Sequence, residues 1–442
     1  MPTLLALITI LVSPLWAAAQ TISVQEALLR ATPAVALVVA EVGGVVVVRC
    51  GPGAPAREVT PPAYQETATG WFVDSTGWLV TNGQVVAAAQ RPPSTLQRDR
   101  AVEAIREACP GAAGATATPT LEPSITVLLP NGFKLPAKIV KYSPAVAGEA
   151  MSGQDLALLR LEASDMPTLP LGNSASLQIG DRIHVVGFPD VVLGHELLNA
   201  TAKMEPSVTS GAVSGFRQDR ANQPVIQTDA PAALGNRGGP AVNEAGEVVG
   251  VMTSVTRASD AERSLVQGFN FIVPSAAVAT FLEGTPVSQR SAGRFNAAWH
   301  AGLRQYFLGD YRRARMHLAE ANRLLPEVPD VRRLTADNET RQARQPWLPW
   351  RGVAVAMLVV SGVGYATLAV RHWGRNRFRI SPAEVARLVD TVDPPVILDV
   401  RDAATYAKSP VRIPRSVHAP LDALERDRLP TDPVRAVVAY CT

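Results

Sequence analysis

Between Gly352 and Val370 the chain reads GVAVAMLVVSGVGYATLAV, nineteen residues without a charge. Wound as a helix, a run of that length covers the hydrocarbon core of a bilayer. Arg351 and Arg371 bracket it closely, and Trp347, Trp350 and Trp373 stand near its ends as interface anchors do. A transmembrane helix over 352–370 forbids a single globule, so the chain must fold as two separate parts. Arg371, Arg375, Arg377 and Arg379 follow the run, against Arg341, Arg344 and Arg351 before it. That slight bias assigns the last part to the cytoplasm and the first to the outside.

The first residues, MPTLLALITILVSPLWAAAQ, agree with this orientation. They form an apolar run ending in Ala17 and Ala19, an A-x-A signal before Gln20, although no Lys or Arg precedes it. Residues 1–19 therefore read as a signal peptide. Export sorts the cysteines: Cys50 and Cys109 lie where a disulfide persists, and Cys441 lies in a reducing compartment. The first two either pair or serve as two small core residues. The 442 residues are 47% hydrophobic and 18% charged, the composition of folded protein. A net charge of +3 without a basic block excludes nucleic acid as the natural partner.

Residues 20–285 carry short β-branched runs, among them ALVVAEVGGVVVVRC, SITVLLP and RIHVVGFP, separated by Gly, Pro and Asn turns. Many short strands at that spacing predict an all-β barrel or sandwich. The stretch from Gln90 to Thr118 is Pro- and Ala-rich and reads as an inserted loop or short helix. Three segments then narrow the assignment. ATGWFVDSTGWLVTNGQVV, GQDLALLRLE and VIQTDAPAALGNRGGPAVNEAGEVVGV resemble, in order, the three triad-bearing segments of HtrA-type trypsin-like serine proteases. LQIGDRIHVVGFP, PSVTSGAVSG and VQGFNFIVP match further parts of that family. The resemblance implies a double β-barrel.

It also exposes what is missing. The histidine position is Gln84, the orienting aspartate is Asp155, and the nucleophile position is Arg237. Acyl transfer needs an attacking hydroxyl, a base and a carboxylate that orients the base. The Gln84 amide cannot take a proton near neutral pH, and the Arg237 guanidinium is permanently cationic. Loss of nucleophile or base costs on the order of 10⁶ in turnover. His184 reads as a structural strand residue, His195 lies in an unfamiliar insertion, and Ser207 and Ser210 read as turn residues. The expectation is a pseudoprotease in which Arg237 fills the vacated imidazole space and pairs with Asp155, while Gln84 donates a further hydrogen bond. The family's substrate-lining positions map onto Gly235, Gly268, Phe269 and Phe271. Arg237 beside the former oxyanion-hole amides also admits an anion site, with a closed cleft as the alternative.

Residues 290–345 change to helical periodicity. FNAAWHAGLRQYFLGDYRRARMHLAEANRLLPEVPD resembles one tetratricopeptide unit, with Gly302, Gly309, Tyr311, Ala314, Leu318, Ala321 and Pro326 at the usual intervals. One such unit packs on the barrel, forms a helical hairpin or meets a partner; a plain spacer is the alternative. The Arg-rich RRLTADNETRQARQPW that follows reads as a solvated helix. Beyond the span, residues 376–442 resemble the first part of a rhodanese domain: a helix after Ser381-Pro382, VILDVRD with Asp399 and Arg401, Tyr406, IPRSVHAPLDAL, and AVVAYC ending in Cys441. In that family this cysteine heads a loop whose amides cradle a reactive thiolate. Here the sequence stops at Thr442, so sulfur transfer is not expected and a longer natural protein is.

The favoured reading is a membrane-anchored barrel that binds a peptide or protein partner outside the cytoplasm, with a rhodanese-like module inside. An enzyme, by residual endopeptidase or sulfurtransferase chemistry, and a structural subunit of a membrane complex are the alternatives. No metal or cofactor is called for, and a homo-oligomer is compatible with the family.

Overall fold

The computed structural model describes residues 22–143, 155–219, 222–257, 265–288, 293–345, 350–424 and 435–441. The signal peptide assigned to residues 1–19 lies outside them. The chain divides into two compact units, Met1–Gln345 and Pro346–Thr442.

The first unit holds two closed six-strand barrels. Strands β1 (Val35–Arg49), β2 (Arg57–Val59), β3 (Tyr64–Asp74), β4 (Trp78–Thr81), β5 (Thr116–Leu128), β6 (Lys134–Ser143) and β7 (Leu156–Leu161) form a sheet of order β2-β1-β3-β4-β7-β6-β5. Pairing of β1 with β5 closes it, leaving β2 on the outer half of β1. Valine dominates β1 because a β-branched side chain fits the pleated surface. Gly44 interrupts that run: at φ 119° a Cβ there would sit 2.1 Å from the Thr120 carbonyl, so only glycine lets β1 and β5 stay paired.

The second barrel runs β10 (Pro224–Thr228), β13 (Leu265–Pro274), β12 (Val248–Arg257), β11 (Pro240–Val242), β8 (Arg182–Gly187) and β9 (Ser207–Gln218). Ser207 and Ser210 thus belong to a strand rather than a turn, and Ser210 lies opposite His184, its hydroxyl 2.7 Å from His184 Nδ1. A shared apolar layer joins the barrels: Trp71, Trp78 and Leu158 of the first pack with Val186, Val251 and Val273 of the second.

The predicted insertion contains a helix, Ser94–Ala108, tied to β1 by a Cys50–Cys109 disulfide with Cα atoms 5.4 Å apart. Of the two alternatives read from sequence, pairing is the one seen. Arg100 on this helix is 2% exposed and donates to the carbonyls of Pro61, Pro62 and Gly44.

Three helices, Arg294–Phe307, Tyr311–Leu324 and Pro329–Arg344, complete the first unit. Phe295, Trp299 and Leu303 share one core with Phe72, Leu79 and Leu159 of the first barrel. Asn296 fastens the first of these helices by reciprocal hydrogen bonds with the Thr168 backbone. Gly302 admits Leu318 of the neighbouring helix, whose side chain would lie 2.9 Å from a Cβ. The last helix is not the fully solvated one expected, because Val331, Leu334 and Asn338 recur at helical spacing and are buried.

In the second unit, helix Trp350–Asn376 contains a segment, Gly352–Arg375, with mean hydropathy 2.1 and none of it buried. Among the described residues it is the one helix long and apolar enough to cross a membrane. Beyond it, β14 (Val396–Asp399), β15 (Val417–His418) and β16 (Val437–Tyr440) form a parallel sheet of order β15-β14-β16. Asp399, fully buried, accepts from Arg401 Nε at 2.8 Å and from the Tyr440 hydroxyl at 2.7 Å. Hydrogen bonding from Arg401 holds its carboxyl well below the usual carboxylate range. Cys441 follows β16 directly and is exposed.

Candidate functional site

Gln84, Asp155 and Arg237 come together at the junction of the two barrels. Gln84 sits in the first turn of helix Gly83–Gln90, whose N-terminus leaves backbone N–H groups without helical acceptors. Asp155, immediately before β7, occupies that terminus: its Oδ1 accepts the Gln84 N–H at 2.7 Å. Gly83 makes this approach possible, since a Cβ there would stand 2.5 Å from the Ser143 carbonyl and 3.1 Å from Asp155 Oδ1. Asp155 Oδ2 accepts the Thr253 hydroxyl at 2.9 Å, and its carbonyl accepts Asn82 Nδ2 at 2.9 Å.

The carboxylate is fully buried, and burial pushes its pKa up. The Gln84 N–H, the Thr253 hydroxyl, the Arg237 charge and the Gly83 N–H pull the other way without cancelling that effect.

Arg237 is held elsewhere. Its Nη2 lies 3.8 Å from Glu66 Oε1, its Nη1 donates to Gln84 Oε1 at 3.4 Å, and its Nε donates to the Leu234 carbonyl at 3.2 Å. The expected direct Arg237–Asp155 pair is therefore not formed. The physical reason lies in the two hydrogen bonds just described, which already satisfy both oxygens of Asp155. Gln84 also departs from its expected part: its backbone serves Asp155, and its side-chain oxygen accepts from Arg237. A polar chain Asp155–Gln84–Arg237–Glu66 results.

The loop carrying Gly235 and Arg237 is anchored by Thr69 of β3. Its hydroxyl donates to the Gly235 carbonyl at 2.7 Å and accepts the Phe188 N–H at 2.9 Å, while its own N–H donates to the Arg237 carbonyl. Within the loop, residues Leu234–Asn236 form a 3₁₀ turn. The Arg237 N–H donates to the Leu234 carbonyl at 3.1 Å, so this amide is turned inward and unavailable to an anion. Gly235 packs against Phe188 and Asp190, whose carbonyl and Oδ1 would lie 2.0 and 2.5 Å from a Cβ.

Gly268, Phe269 and Phe271 lie on β13, where Phe269 is 53% exposed and Phe271 half-buried. His195 is exposed and its Nδ1 accepts the Leu197 N–H; His184 stays in β8 with Ser210. Neither bonds to Asp155. Among the described residues, no three His, Cys, Asp or Glu side chains gather as a metal site.

Sequence reasoning missed Thr253, Glu66 and Asp190. Thr253 carried no signal, being one hydroxyl in the strand run VVGVMTSV. Glu66 and Asp190 stand out only as acidic side chains in otherwise uncharged stretches, YQETATGWF and HVVGFPDVV.

Residues 68–251 match the family described as a trypsin-like peptidase domain. A relative named probable periplasmic serine endoprotease DegP-like, from Pseudomonas fulva (strain 12-X), is 26% identical over 251 residues, covering 56% of this chain and 40% of that protein. One of the same name from Hahella chejuensis (strain KCTC 2396) is 29% identical over 225 residues, covering 50% of this chain and 36% of that protein. The alignments thus span about two fifths of those relatives' length. The solved structure titled HtrA-type protease AlgW with decapeptide is 23% identical and has a TM-score of 0.38, covering 59% of this chain and 66% of that one.

Proposed function

From the premise that residues 68–251 form a trypsin-like peptidase domain homologous to HtrA-type proteases, we propose that this domain binds a peptide or protein without cleaving it. The observation that carries this reading is the chain Asp155–Gln84–Arg237–Glu66. Asp155 keeps its acceptor bonds, yet no base stands where an imidazole would be, and no hydroxyl occupies position 237. The remaining acid has no proton relay to orient, since an amide and a guanidinium neither accept nor deliver a proton at neutral pH. Phe269 of β13, 53% exposed, offers an apolar contact for a bound chain.

The reading extends to the whole chain as an exported domain anchored by helix Gly352–Arg375, with a rhodanese-like module on the cytoplasmic side. The order of Asp399, Arg401, Tyr406 and Cys441 around a parallel sheet supports that module. The helices of 294–344 resemble a tetratricopeptide unit and pack on the first barrel.

The test is hydrolysis of casein and of fluorogenic peptides by the full chain in detergent, beside a variant carrying Gln84→His and Arg237→Ser. The parent releases no product. A gain in the double variant identifies these two positions as the missing groups. Cleavage by the parent that disappears with Asp155→Ala overturns the reading.

A further inference from the structure

Charge is distributed unevenly along the second unit. From residue 340 to residue 383 the sequence contains no Asp or Glu. Arg371, Arg375, Arg377 and Arg379 fall within nine positions, starting where the uncharged run ends and continuing just past helix Trp350–Asn376. All four are exposed. Among the described residues the ion pairs of this unit are Arg401–Asp399 and Arg435–Asp393, so none of the four arginines is paired. Unpaired cations this close together, at the end of a helix long and apolar enough to cross a bilayer, are attracted to a densely anionic surface.

Apolar surface set among these charges separates a lipid from a free anion. Trp373 is 66% exposed and Phe378 86%, and the Arg377 guanidinium lies over both rings, 5.5 Å from each centroid. A guanidinium stacked on rings still presents its N–H edge to a phosphate. Adjoining the basic stretch is a cavity of about 800 Å³. Phe378, Ile380, Val385, Val389 and Val438 make its apolar wall, and Arg379 and Asp390 are the charged residues on its lining. An unpaired cation beside an apolar hollow matches an amphiphile with an anionic head.

We propose that residues 371–379 and the adjoining cavity bind an anionic phospholipid, the arginines receiving the phosphate head group and the cavity an acyl chain. A free phosphate would gain nothing from the apolar wall. The inference rests on the reading that helix Gly352–Arg375 spans a membrane, and it adds the class of lipid held at the end of that span.

The experiment is native mass spectrometry of the full chain, released from micelles that carry equal amounts of phosphatidylglycerol and phosphatidylcholine with the same acyl chains. Phosphatidylglycerol is retained at least about fivefold over phosphatidylcholine, the scale of one engaged arginine. Arg371→Gln, Arg375→Gln, Arg377→Gln and Arg379→Gln together abolish the preference. The same loss of charge on the first unit, by Arg304→Gln, Arg312→Gln, Arg315→Gln and Arg344→Gln, leaves it in place. Phe378→Ala lowers retention of phosphatidylglycerol by about threefold or more, and excess glycerol 3-phosphate does not displace the lipid. Equal retention of the two lipids, or a preference that survives the four changes at 371–379, overturns the proposal. So do an equal fall with the changes on the first unit, unchanged retention in Phe378→Ala, and displacement by glycerol 3-phosphate. Anchoring is read separately, in vesicles of phosphatidylcholine alone. A chain that resists alkaline carbonate extraction from them keeps the span even where the preference fails, whereas a chain that is extracted removes the span.

Discussion

The backbone N–H of Gln84 donates to Asp155 Oδ1 at 2.7 Å, so this buried acid is held by a helix terminus. A side chain at 84 is not needed to satisfy Asp155; the start of helix Gly83–Gln90 and Thr253 suffice.

It follows that Thr253→Val destabilises the first unit more than Arg237→Ala does. The first change deprives a buried carboxylate oxygen of its donor, a cost of about 1–3 kcal/mol. The second removes a partly exposed ion pair worth about 0–1 kcal/mol. Urea unfolding of the two variants checks the order; a larger loss in Arg237→Ala contradicts it.

The disulfide makes a separate prediction. Cys50 and Cys109 are 59 residues apart, and closing a loop of that length contributes about 4 kcal/mol in the chain-entropy model. Replacing both by serine should lower the urea midpoint and raise hydrogen exchange in helix Ser94–Ala108, where Arg100 and Ala104 are the buried residues. Unchanged exchange there would mean that the Arg100 hydrogen bonds hold the helix alone.

His300 gives a pH dependence. Burial, with Arg30 and Arg304 nearby, pushes its pKa down from 6.5 to about 4. Above pH 6.5 the imidazole is neutral in both folded and unfolded chains and contributes nothing. As the pH falls below 6.5 the unfolded chain binds the proton first, so stability is lost progressively until about pH 4, by up to about 3 kcal/mol. Comparing urea midpoints of parent and His300→Gln between pH 7.5 and 4.5 tests this. The variant should lose less; equal losses assign the effect to other groups.

The helices beyond the barrels predict a fourth result. Trp299 is fully buried against the first barrel, and its Nε1 donates to the Leu29 carbonyl at 2.7 Å. Trp299→Ala should cost about 3–5 kcal/mol, with barrel and helices melting together. Helices that melt alone while the barrels persist would contradict a shared core.

Much of the fold could be read along the chain because it depends on local patterns. Valine-rich β1, the glycine turns, and the apolar run at Gly352 carry periodicities that one stretch displays by itself. The positions of Gln84, Asp155 and Arg237 were legible for another reason, their place in ordered motifs. The partners of those side chains were not. Glu66 reaches Arg237 across 171 positions and Thr253 reaches Asp155 across 98, and no spacing rule links residues on different barrels. The expected Arg237–Asp155 pair is absent because a backbone donor of the helix terminus, invisible in the side-chain pattern, and the Thr253 hydroxyl already occupy the Asp155 oxygens. The third helix reads as solvated because its arginines outnumber the three buried positions, Val331, Leu334 and Asn338.

The most direct measurement is covalent. Incubating the full chain with a fluorophosphonate probe and weighing it by intact mass spectrometry asks whether any side chain in the cleft behaves as an activated nucleophile. A domain that binds without cleaving keeps its unmodified mass after prolonged exposure. A stoichiometric adduct mapping to the cleft, and lost in Asp155→Ala, would contradict it.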